Sequence, residues 1–134
     1  MKALHGEMRV ALAELGREAT KAVPDQIALP AARLRLARID ACRKSSINSI
    51  CPILHDISLE DARKLEELRR DGYALALKVS QHVVCWSMRS IAADWASYTR
   101  ASADLRALMF KRISEEIALL YPLLEARDQS SSDK

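Results

Sequence analysis

The chain has 134 residues, 49% of them hydrophobic and 29% charged, which excludes a disordered polar polypeptide and suits one domain with its own core. A net charge of +3 arises from basic and acidic residues interspersed along the whole chain, with no run that resembles a nucleic-acid arm or a polybasic membrane patch. The stretch Met1-Lys-Ala-Leu-His-Gly-Glu lacks the apolar core of a secretion signal, and nothing approaches the ~20 apolar residues of a membrane span. A cytoplasmic protein with neither a nucleic-acid nor a membrane partner is expected.

In chain order, Leu4, Met8, Ala11, Leu12, Leu15 and Ala19 recur at spacings of three and four, predicting an amphipathic helix over residues 3–21. Pro24 and Pro30 bracket the next loop. A second helix begins near Pro30, a residue suited to a first helical turn, turns Ala32, Leu36, Ile39, Ile47 and Ile50 inward, and ends near Pro52. His55-Asp56 falls in the loop that follows, where turn and capping roles predominate.

Ser58-Leu-Glu-Asp61 has the spacing of a capping box and opens a third helix, with Leu65, Leu68, Leu75, Val79, Val83 and Trp86 on its inner face. Gly72 weakens that helix by only ~1 kcal/mol and need not end it. His82 lies on the same stripe as an ordinary core histidine. A break is expected within residues 87–97, sealed by Trp95 and Tyr98. The fourth helix continues to about Glu125, and residues 127–134 read as a disordered polar tail. Cys42, Cys51 and Cys85 are odd in number and lack a C-x-x-C pair, so buried reduced thiols are expected in place of a disulfide framework or a zinc site. No strand alternation is present. The elements predict an all-α fold, an up-down-up-down antiparallel four-helix bundle.

One feature breaks the apolar pattern. On the fourth helix, Leu105, Met109, Ile113, Leu120 and Leu123 share a face, and Arg112 and Glu116 fall inside that sector, one turn apart. A buried guanidinium or carboxylate must find a partner. Glu116 is one candidate partner for Arg112, and the repeat and resemblance described next add Asp71, so that a buried ion cluster of Arg112 with Glu116, Asp71 or both is expected.

Shifting the chain by 70 residues lays Ile47, Ile50 and Cys51-Pro-Ile-Leu54 onto Ile117, Leu120 and Tyr121-Pro-Leu-Leu124, so helices two and four read as repeats. At a slightly different offset His5-Gly-Glu-Met matches Asp71-Gly-Tyr-Ala, relating helices one and three. Two repeated hairpins follow. With the ending Glu115-Glu116-Ile-Ala-Leu-Leu-Tyr-Pro-Leu-Leu124 and the opening Leu4-His5-Gly-Glu-Met-Arg9, the chain resembles the hemerythrin-like, or HHE cation-binding, family over residues 4–124. A hemerythrin-like domain over residues 1–126 is the corresponding expectation.

That resemblance implies inward ligands for two iron ions, supplied by about five histidines and two carboxylates. Here His5 and Glu116 stand at ligand positions. The other positions read Cys42, Ser46, Asp71 or Gly72, and Arg112, and the chain has three histidines in all. A guanidinium has no lone pair to give a metal and repels one by charge. His5, Asp71, Glu116 and Cys42 are the candidate metal ligands that remain.

The leading expectation is therefore a degenerate, metal-free member of this family, a regulatory or ligand-binding module that is not an enzyme and carries no cofactor. An iron-based sensor or carrier of oxygen or nitric oxide is the alternative, and a structural homodimerisation domain is a third. A protein partner or a small ligand is implied, without its identity. No phosphate-binding glycine loop, nucleophile elbow or paired-carboxylate motif points to catalysis.

Overall fold

A computed structural model describes residues 1–132 of the chain. These residues are all-α, without strands. Helix α1 spans Lys2–Ala19, α2 Ala28–Ile50, α3 Leu59–Cys85, α4 Met88–Ala93 and α5 Trp95–Ser132, with a 3-10 turn at Cys51–Ile53 directly after α2. No helix is long and apolar enough to cross a membrane among the described residues.

Local chemistry explains most of the boundaries. Asp25 Oδ1 accepts from the amides of Ile27 (2.9 Å) and Ala28 (2.8 Å), tying down donors at the start of α2 that no helical carbonyl can reach. Ser58 caps α3 by accepting from the Asp61 amide at 3.1 Å. As expected, α3 runs unbroken through Gly72.

Five helices occur among the described residues where four were expected, because the break after α3 holds a helix of its own. Ser87 Oγ accepts from the Ser90 amide and starts α4, and Asp94 Oδ1 accepts from the Ser97 amide as α5 begins. Helix α5 then continues through Pro122 to Ser132. Most of the segment expected to form a disordered tail is therefore helical, and residues 133–134 of it lie outside the described residues.

Helix α1 packs against α2 and α5, and α3 against α5. Two apolar clusters result. One joins Met8, Leu12, Leu29, Leu36, Tyr98, Met109 and Ile113; the other joins Ile47, Leu54, Leu65, Leu68 and Leu120. Val83, expected inside, is 57% exposed. The thiols also depart from expectation: Cys42 and Cys85 are exposed and Cys51 is half-buried, all three free. Burial raises the Cys51 thiol above its ordinary pKa, against the opposing pull of Arg69 and Arg112.

Candidate functional site

A polar layer separates the two apolar clusters. Along α5, Glu116 falls between Ile113 and Leu120; along α2, Asp40 and Arg43 fall between Leu36 and Ile47; along α1, His5 lies one turn before Met8. All five of the charged or titratable groups His5, Asp40, Arg43, Arg112 and Glu116 are buried.

Glu116 is the hub and is fully inaccessible to solvent. Its Oε1 accepts from His5 Nε2 at 2.9 Å. Its Oε2 accepts from Arg112 Nε at 2.7 Å and also from Arg43 Nη1. A carboxylate only accepts, so His5 donates to it from Nε2, and the other ring nitrogen, Nδ1, is hydrogen-bonded to the Tyr121 hydroxyl. Arg43 turns its other edge to Asp40, donating from Nε (3.2 Å) and Nη2 (2.9 Å) to Oδ1, while Lys44 reaches Asp40 Oδ2 at 2.9 Å from the rim. Burial alone would lower the Arg43 pKa, but the charges of Glu116 and Asp40 outweigh it and raise the guanidinium further.

Helix α3 contributes backbone to this layer. Arg112 Nη1 donates to the Leu68 carbonyl, and its guanidinium lies over Gly72, so that a Cβ built there would sit 2.7 Å from Nη2 and 3.1 Å from Cζ. A residue without a side chain at position 72 is what lets the arginine lie there.

Of the residues expected from sequence, His5, Arg112 and Glu116 come together. Asp71 and Cys42 do not. Both are exposed, each one position from the residue that faces the layer. Gly72 is that residue on α3 and Arg43 on α2, and a shift of one residue on a helix turns a side chain by ~100°. The ion cluster is thus Arg112 and Glu116 with Arg43, Asp40 and His5, and Asp71 is replaced in it by Asp40. Arg43 and Asp40 escaped the sequence reading, which placed Ile39 on the inner face; Ile39 is only partly buried.

Both oxygens of Glu116 and both nitrogens of His5 are engaged within the protein, and two permanently protonated guanidiniums flank the carboxylate. This donor set does not fit the iron that the resemblance implies. No group of three or more His, Cys, Asp or Glu side chains is placed to hold a metal ion among the described residues. By formal charge the two carboxyl groups, Asp40 and Glu116, balance the two guanidiniums, Arg43 and Arg112. Such an arrangement fixes the register of α1, α2, α3 and α5 and presents no free nucleophile or base.

Comparison with protein-family models, curated proteins and solved structures found no match to this chain.

Proposed function

We propose that the chain is a hemerythrin-like module in which a buried ion cluster stands in place of a di-iron centre, and that it acts as a regulatory or ligand-binding protein without turnover. In this reading α1, α2, α3 and α5 form an up-down-up-down bundle of two related hairpins, with α4 an insertion in the second. The order of contacts along α5 supports it. His5 near the start of α1 meets Glu116 and Tyr121, whereas Gly16 near its end lies against Arg106. Leu68 early in α3 meets Arg112, and His82 late in α3 lies beside Tyr98.

The observation that carries the metal-free reading is the convergence of Arg43 and Arg112 on Glu116, the family ligand position retained on α5. Two fixed organic cations supply the positive charge that a metal would have supplied. The iron-sensor alternative requires His5, Asp71, Glu116 and Cys42 to converge, and two of these are exposed.

Protein produced with ample iron is expected to be colourless, to hold far less than one equivalent of metal by elemental analysis, and to melt at a temperature unaffected by chelator. Stoichiometric iron with a charge-transfer band near the ultraviolet edge would overturn the proposal. A dimeric reading draws on one further observation: Tyr73, Leu77 and Val84 lie on one face of α3 and are 60–83% exposed. Light scattering across a concentration series is the test, and a monomer throughout rules that reading out.

A further inference from the structure

Beyond the ion cluster, towards α4, a cavity of about 70 Å³ lies among α1, α2, α3 and α5. Arg33, Asp40, His82, Ser102 and Arg106 border it, but the surface left accessible inside, from Leu15, Leu36, Val79, Leu105 and Met109, is almost wholly apolar. Tyr98 also lines it. This tyrosine is fully buried, yet its hydroxyl has no hydrogen-bond partner.

Most buried polar groups in proteins are satisfied, and one left unpaired carries a desolvation cost with nothing in return. The surroundings hold this hydroxyl where it is. The Tyr98 ring packs against Trp95 in a stacked arrangement and against Trp86 edge-on, each at 5.6 Å between centroids, and Arg33 lies over it at 5.7 Å. Arg33 is itself fixed by donating to the Trp86 carbonyl at 2.7 Å. Burial raises the phenol's pKa against the pull of the Arg33 charge and of the neighbouring Ser102 hydroxyl, which lies near the phenol without completing a hydrogen bond to it. Tyr98 therefore stays protonated across neutral pH and is available as a donor.

We infer that this cavity is a binding site for a small neutral molecule, mostly apolar, with one hydrogen-bond acceptor that takes the Tyr98 O–H. The inference rests on the ligand-binding reading and names the class of ligand. At ~10–15 Å³ per water-sized position, the volume admits about five non-hydrogen atoms, the size of a short-chain ketone or alcohol. An ion is disfavoured because almost none of the surface it would touch is polar. For five atoms the efficiency ceiling puts Kd no tighter than about 3 µM.

The chain's two tryptophans are both in contact with Tyr98, so intrinsic fluorescence reports on the site without a label. Titration with 2-butanone is expected to change that fluorescence saturably, and 2-methyl-1-butene, of similar shape without the acceptor, is expected to bind about three- to tenfold more weakly, the worth of one net hydrogen bond. Tyr98→Phe should abolish that preference by weakening the ketone alone. Leu105→Phe, which fills the cavity, should weaken both ligands. Equal binding of the two ligands, a ketone preference that survives in Tyr98→Phe, or no saturable change with either probe would overturn the inference. The last outcome, water as the only occupant, leaves the metal-free ion cluster standing; iron in the purified protein would sink the cluster reading and not this one.

Discussion

Replacing Glu116 with leucine removes the one carboxylate that two guanidiniums share. Arg112 Nε lies 2.7 Å from Oε2, and Arg43 bonds the same oxygen, so the two guanidiniums meet across a single atom. At an effective dielectric of ~20, two like charges roughly 6 Å apart repel by roughly 3 kcal/mol. Lost charge-assisted hydrogen bonds add to this, and the total falls at ~3–5 kcal/mol, the usual cost of stranding a buried charge. Now remove Arg112 as well. In the double variant Arg112→Leu with Glu116→Leu, Arg43 keeps Asp40 as its partner, and the layer is again neutral. The penalties that remain are His5 Nε2, which loses its acceptor in the single and the double variant alike, and the Leu68 carbonyl, which loses its donor, about 1 kcal/mol each. The double variant should therefore be more stable than Glu116→Leu alone by ~2 kcal/mol or more. Urea melts followed by far-ultraviolet circular dichroism measure this directly: with a slope of ~2 kcal/mol per molar, the single variant's midpoint should fall by roughly 2 M and the double should recover about half. A double variant no more stable than the single would refute the pairing, whatever the cost of each.

Two further outcomes follow from particular contacts. Gly6 is exposed, and a Cβ added there would have nothing within 4 Å, whereas a Cβ at Gly72 meets the pinned Arg112 guanidinium at 2.7 Å; Gly6→Ala should thus raise stability by ~0.5–1 kcal/mol, and Gly72→Ala should lower it by ~1 kcal/mol despite the same gain in helix propensity, with equal stabilisation by both counting against the packing described. His82 has its pKa lowered from 6.5, first by burial and then by the Arg33 charge. The unfolded chain then binds the proton more readily than the fold, so the histidine's contribution is intact above pH ~6.5 and is lost as pH falls from there through the folded value. Thermal melts between pH 7.5 and 5 should show a smaller loss for His82→Gln than for the parent, and parallel curves would remove His82 as the cause.

How far the sequence disclosed this molecule depends on which helix is considered. Helix α1 was legible through its middle, where Met8, Ala11, Leu12 and Leu15 are all buried, while Leu4 and Ala19 at its ends are half-buried. On α5 the charges inside the stripe were themselves the signal, because burying Arg112 and Glu116 makes sense only if partners exist. Helix α2 holds the same signal: Leu29, Ala32, Leu36, Asp40, Arg43 and Ile47 are the buried positions, and they follow spacings of three and four without interruption. Favouring the apolar Ile39 over the charged Asp40 broke that progression. The 70-residue repeat likewise made Cys42 the counterpart of Arg112 on α2, when the buried position lies one residue later, at Arg43. Periodicity constrains which residues face inward regardless of their polarity, and a charge that keeps the period is evidence of a partner across the core. Two such charges on α2 and two on α5 could have been matched from the sequence, Arg43 to Glu116 by sign and by position. The orphaned Tyr98 hydroxyl had no such trace, because an unsatisfied donor is defined by what its neighbours fail to supply, and His82 of α3, Trp86 just after it and Arg33 of α2 reach Tyr98 only once the chain has folded.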